Sequence, residues 1–207
     1  MSWEKWIKEK RFTLYRTAII QRSFIDLILA EVSLKSKVLE TGVGSGTTLV
    51  LLEDLGYNMV GFDYSELIIE KFKERFPHLA DKVYIGNILD EKSYKEKYEA
   101  IIHQGVLEHF SDDEIIKILN IQARNSKKII FDVPNNQREK KEDEGGHTRF
   151  EPPEFLGKIV SKAGLKFKRF GRNSDWNNDL IPEALKRYDS PLMKKIGRSS
   201  MFVCWKE

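Results

Sequence analysis

Three glycines alternate in Glu40-Thr41-Gly42-Val43-Gly44-Ser45-Gly46, directly after the apolar pair Val38-Leu39. A strand that turns through glycines into a helix lets a ligand lie close against the backbone, because glycine permits positive φ and has no side chain in the way. The spacing excludes two familiar ligands of such loops. A dinucleotide fingerprint wants a third glycine where Thr47 stands (counting from Gly42) or Leu49 (counting from Gly44), and no lysine follows that could serve a phosphate loop. Asp63 comes 21 residues after Gly42, close to the ~20-residue separation at which an acid on the next strand reaches a ribose. The competing reading of Asp63 is a turn-forming residue at a strand end. Four histidines could move a proton near neutral pH. His78 follows Pro77 and is expected at the surface, while His103 and His109 bracket the end of a strand. His147 sits in Gly145-Gly146-His147-Thr148-Arg149-Phe150, a loop with glycine hinges.

The elements that must position these residues alternate between short apolar runs and helical segments, the pattern of a parallel α/β sheet. Strands are expected at residues 38–42, 58–63, 83–86, 98–103, 128–133, 165–170 and 200–205. Helices are expected from the glycine turn to about 55, over 66–76 with Ser65 as N-cap, and from the Ser-x-x-Glu capping box at Ser111 to about 124. A further helix runs from Pro152-Pro153 to Gly164. Residues 3–30 lack Gly and Pro and repeat apolar groups at Leu14, Ala18, Ile25 and Leu29, which predicts one or two amphipathic helices. The stretch between the last two strands is too long for a hairpin and reads as an insertion with a helix at 182–188. Sheet order does not follow from these elements, but ligands sit at the carboxyl ends of parallel strands.

Glu40-x-Gly42-x-Gly44-x-Gly46, the acid closing Gly61-Phe62-Asp63, and Ile102-His103-Gln104-Gly105-Val106-Leu107-Glu108-His109 together resemble class I S-adenosylmethionine (SAM)-dependent methyltransferases of the small-molecule type. The resemblance covers roughly residues 36–170 and the final strand. It implies a seven-stranded, mostly parallel, doubly wound Rossmann-like sheet with helices on both faces and an N-terminal helical cap. One domain, 1–207, would comprise the cap (1–34), the core (35–172 and 199–207) and the insertion (173–198). The cofactor would be SAM, with S-adenosylhomocysteine (SAH) as product. By the same resemblance, Glu40 orients the glycine loop and meets the ammonium of the cofactor through water. Asn87 stands where the family usually has an Asp that contacts the adenine amino group, and its amide oxygen can accept the same bond. Tyr64 and Ile88 would sandwich the adenine, with an ordinary core role equally open, and Gln104 would touch the methionine portion. Tyr15 and Arg16 are candidate partners for the cofactor carboxylate, a packing or solvated face being the favoured alternative.

Methyl transfer from a sulfonium is an in-line displacement, so alignment in a dry pocket matters more than a protein nucleophile. Some acceptors need a proton removed. His147, whose segment resembles the His-x-Arg-Phe run before the helix bordering the acceptor pocket, is the first candidate, against a structural hydrogen bond. His109 is the second, although contact with the sheet edge is its favoured reading. The acceptor pocket is expected between His147, His109, Trp176 and the helix beginning near Pro153. The N-terminal helices and loop 135–149 are expected to close over the cofactor. No metal is expected, and Asp132-Val133-Pro134-Asn135-Asn136 reads as a strand end.

Composition narrows the alternatives. At 207 residues, 41% hydrophobic and 32% charged, the chain can bury a core without staples, and disordered or collagen-like readings fall away. The single cysteine, Cys204, cannot form an intramolecular disulfide and points to a reducing compartment. No leader-like run or ~20-residue apolar stretch is present, so a cytoplasmic protein without membrane contact is expected. A net charge of +3 argues against a nucleic-acid binder. Residues 158–198 nevertheless hold eleven Lys and Arg against four acids. A methyltransferase of RNA or protein using that basic surface therefore stays as an alternative to a small-molecule enzyme, as does a binding subunit without turnover. A C5-cytosine mechanism lacks its site cysteine, and the Asn/Asp-Pro-Pro-Tyr run expected for adenine or glutamine amino groups is absent.

Overall fold

The computed structural model describes residues 14–135, 151–152, 154–172 and 199–206, with the backbone alone at 15–17 and 172. Seven strands, β1 (Lys37–Thr41), β2 (Asn58–Asp63), β3 (Val83–Ile85), β4 (Tyr98–Gln104), β5 (Ser126–Pro134), β6 (Lys166–Arg172) and β7 (Ser199–Trp205), form one sheet in the order β3-β2-β1-β4-β5-β7-β6. The first five run parallel, while β7 inserts antiparallel between β5 and β6. This is the mostly parallel, Rossmann-like sheet expected, and all seven strands fall within a few residues of their predicted places. β5 starts two residues early because α4 feeds it without a loop, Ser126 Oγ donating to Gln122 O at 3.0 Å.

Helices cover both faces, and strand alternation decides which residues each face receives. Val38, Met59, Ala100, Ile102, Ile130, Met201 and Val203 face α1 (Leu14–Glu31), α2 (Thr47–Asp54) and α3 (Glu66–Arg75). Their neighbours Leu39, Phe62, Ile101, Ile129, Phe131, Phe202 and Cys204 face α4 (Asp112–Asn125) and α5 (Phe155–Lys162). Being buried on both sides, β7 is apolar throughout rather than alternating.

α1 buries Phe24, Ile25, Leu27, Ile28 and Val32 on the sheet, while Leu14 and Leu29, expected on its apolar stripe, are exposed. The sheet selects the i, i+3, i+4 set that lies over it, and Leu29 falls outside that set. Lys128 Nζ donates to Glu31 O at 2.6 Å and Tyr57 Oη to Val32 O at 2.8 Å, satisfying carbonyls at the end of α1. Local signals held at two helix starts: Ser65 Oγ accepts from Ile68 N, and Ser111 with Glu114 closes the capping box. Among the described residues, no helix is long and apolar enough to cross a membrane. The predicted helix at 182–188 lies outside the described residues, as does most of loop 135–149.

Candidate functional site

The carboxyl ends of β1, β2 and β4 meet at the glycine loop. Gly42, Gly44 and Gly46 all adopt positive φ (76°, 53° and 75°), so the chain reverses three times between β1 and α2 and turns successive amides to one side. Side chains are excluded at the two outer positions. A Cβ on Gly46 would lie 2.2 Å from the Phe72 ring, and one on Gly42 would lie 2.8 Å from Val106 Cγ2.

Two acids hold this loop. Asp63 Oδ2 accepts from Gly44 N at 3.1 Å and Oδ1 from Ser65 N at 3.1 Å, so the acid at the end of β2 ties the loop to the start of α3. A carboxylate offers about four acceptor directions, which leaves Asp63 capacity for further donors. Burial pushes its carboxyl above the usual range, opposed by backbone N–H bonds from Ser65, Gly44 and Tyr64. Glu40, 4% exposed, is bonded by the backbone N–H of Leu49 in the first turn of α2, where Gly46 provides no side-chain cap. Its Oε2 has no hydrogen-bond partner among the described residues. Burial, reinforced by the negative charge of Asp63, pushes Glu40 up to about 8.

Around the loop, Tyr64 is 79% exposed, standing free beyond Asp63. Ile88 is buried in the cluster with Phe62 and Tyr94, the core alternative to an adenine contact. Asn87 is exposed, but its Oδ1 already accepts from Leu89 N at 2.9 Å, which leaves one lone pair for another donor. Gln104 ends β4 with its Oε1 3.4 Å from Thr48 Oγ1 and its Nε2 without a partner. Thr48 donates to Gln21 Oε1 at 2.6 Å, bringing α1 to the same corner. Gln21 and Thr48 went unremarked in the sequence because no motif ties them to it.

The histidines divide. His103, expected near the reacting methyl, faces the α4 layer instead, fully buried and stacked on Phe131 at 5.2 Å and 6°. Burial lowers its pKa to about 3, so the ring is neutral at physiological pH. Neither ring nitrogen reaches a partner among the described residues, although Gln122 lies beside it. His109 closes a short 3-10 turn, Leu107–His109, with its side chain exposed. His147 and Trp176 lie outside the described residues, and so do the side chains of Tyr15 and Arg16.

Next to the loop, beyond Val106, a cleft opens at the carboxyl ends of β4 and β5. Leu107, Ile115, Val133, Phe155 and Leu156 give it apolar walls, and Glu108, Asn135, Glu151 and Ser200 add polar groups. Its rim is pinned where Asn135 bridges to Glu151 and donates through Nδ2 to Ser200 Oγ at 3.3 Å. Glu108, 8% exposed, faces this cleft where His109 was expected to. The turn reverses the chain at that point and exchanges which neighbour points inward.

These groups fit SAM. The open backbone of the glycine loop, two acids, the unpartnered Glu40 Oε2 and Gln104 Nε2, and the lack of a phosphate-binding lysine suit a cationic nucleoside without phosphates. The comparisons agree. A family model described as a methyltransferase domain matches residues 8–168. A SAM-dependent methyltransferase from Archaeoglobus fulgidus shares the fold with a TM-score of 0.65 at 16% identity, over 92% of this chain and 94% of that one. Magnesium protoporphyrin IX methyltransferase from Synechocystis, solved with bound SAH, gives 0.68 at 14% identity over 99% and 93%. The small RNA methyltransferase HEN1 gives 0.64 at 18% identity over 90% of this chain but 25% of its own. No curated protein matches by sequence. The match over residues 8–168 makes the chain a member of the methyltransferase-domain family, and its fold and site make it a class I SAM-dependent methyltransferase.

Proposed function

We propose that the chain transfers the methyl group of SAM to an O, N or C atom of a small molecule seated in the cleft beside the glycine loop. One observation carries this reading: the cleft is walled by apolar side chains with a few polar groups, the lining of a small-molecule site. It starts at Leu107, next to the residue that touches Gly42. When bound, the cofactor supplies an electrophilic methyl on its sulfonium. The chain supplies position and dryness. Gly42, Gly44 and Gly46 offer backbone to the aminoacyl arm, and Asp63 takes the ribose hydroxyls with the acceptor capacity its loop bonds leave over. Tyr64 stacks on the adenine from the open side and Ile88 supports it from the core. Asn87 accepts from the adenine amino group with its remaining lone pair, and Gln104 donates through Nε2 to the methionine portion. On the acceptor side His147 is the candidate base. Glu108 and not His109 is the described group facing the cleft, so His109 serves the turn.

A second reading, transfer to RNA, draws on exposed Lys158, Lys162, Lys166 and Lys168 on α5 and β6. Incubation with labelled SAM and a metabolite extract, in parallel with RNA at two salt concentrations, separates the two. Label in a low-mass product supports the first, and salt-sensitive label in RNA supports the second. SAM binding without turnover on any extract would leave a binding subunit. With an acceptor in hand, His147→Ala and Trp176→Ala should lower transfer while SAM affinity holds.

A further inference from the structure

Glu40 is a carboxyl with nowhere to put a charge. It lies on β1 between Gly61 of β2 and Ile102 of β4. It is 4% exposed, with Oε2 unpartnered among the described residues and a single backbone N–H, from Leu49, bonded to it. No cation compensates it among the described residues. β2 presents the acid Asp63, and β4 presents Ile102 and the neutral Gln104, with His103 turned to the opposite face. α2 offers threonines and leucines, its Glu53 lying at the far end on Met59 N at 2.7 Å. α1 approaches with the amide of Gln21, and α3 with Ser65 and an exposed Glu66.

We propose that cofactor binding at this site is coupled to the loss of one proton from Glu40, so that the site exchanges H⁺ for the cationic ligand. The inference rests on the SAM reading above. In the exchange the O–H bond of the neutral Glu40 carboxyl breaks, the electron pair stays on the oxygen, and the proton leaves to buffer. The ammonium and sulfonium of the ligand then supply the countercharge the protein withholds. A buried ionised carboxylate without a partner is costly, and a nearby cation removes that cost. The elevation of Glu40 to about 8 accords with a neutral carboxyl at pH 7 before binding.

Titration calorimetry with SAM at pH 7, in buffers of different ionisation enthalpy, counts the protons. With Glu40 at about 8 the release should approach 0.9 proton per SAM bound, and affinity should rise about fivefold from pH 7 to pH 8. Glu40→Gln should bind SAM with no proton release and a flat affinity over that interval. Infrared difference spectra of wild-type protein carrying isotopically labelled glutamate keep the assignment testable if this variant does not fold, since the protonated glutamic acid band should vanish on binding. SAM binding with no proton release, or release unchanged in Glu40→Gln, overturns the coupling. Absence of SAM binding at millimolar concentration overturns the cofactor reading itself.

Discussion

Gly46→Ala isolates the constraint on which the cofactor loop depends. Gly46 has φ 75°, so alanine pays the left-handed penalty of about 1–2 kcal/mol. Its new Cβ would also lie 2.2 Å and 2.6 Å from two atoms of the Phe72 ring. Phe72 is 2% exposed and packs on Phe76 at 5.2 Å, so the ring has no room to swing away. Overpacking of this kind costs about 1–3 kcal/mol. The sum, about 2–5 kcal/mol, lowers Tm by roughly 4–20 °C for a chain of this size. Gly56→Ala is the control, because Gly56 also has positive φ, 99°, yet a Cβ there meets nothing within 4 Å. It should cost the backbone penalty alone, about 1–2 kcal/mol. The difference between the variants, about 1–3 kcal/mol, is the Phe72 contact. Urea denaturation measures both, and repeating Gly46→Ala in a Phe72→Leu background should shrink its cost to that of Gly56→Ala. Equal costs for the two glycine variants, or no relief from Phe72→Leu, would refute the packing argument.

Asp63→Ala strands the amides of Gly44 and Ser65, so stability should fall by about 1–3 kcal/mol and SAM affinity by a similar amount, read by denaturation and calorimetry. His103 is neutral in the native state with its pKa near 3, whereas in the unfolded chain it takes up a proton below about pH 6.5. Its contribution is therefore complete above pH 6.5 and lost on acidification toward pH 3, by about 2 kcal/mol at pH 5. Glu40 acts in the opposite sense between its unfolded and folded values, stability falling as pH rises toward about 8. His103→Phe should remove the acid loss, seen as a positive stability difference from wild type that grows below pH 6.5, and should keep the stack on Phe131. Cys204 is fully buried and its thiol is pushed well above the usual range. Iodoacetamide should leave it unmodified in native protein and label it in urea.

Sequence alone determined what depends on near neighbours. Alternating glycines predicted the left-handed turn, Ser65 and Ser111 predicted two helix starts, and apolar periods placed seven strands, because φ preferences, caps and periodicity act within a few residues. The spacing of Gly42 and Asp63 likewise anticipated their meeting through the amide of Gly44, since one βαβ unit spans both. Sheet order was not legible, and neither was the antiparallel insertion of β7, because both depend on pairings between residues far apart in sequence. The chemistry of single residues shared that fate. His103 and Gln104 are adjacent on β4, yet strand alternation turns one into the α4 layer and the other to the glycine loop. Glu108 and His109 are adjacent too, and the turn at the end of β4 buries the first and exposes the second. Glu40 was recognised as part of a motif, but its elevated pKa came only from the assembled sheet, which removed its water and set Asp63 beside it without a compensating cation among the described residues.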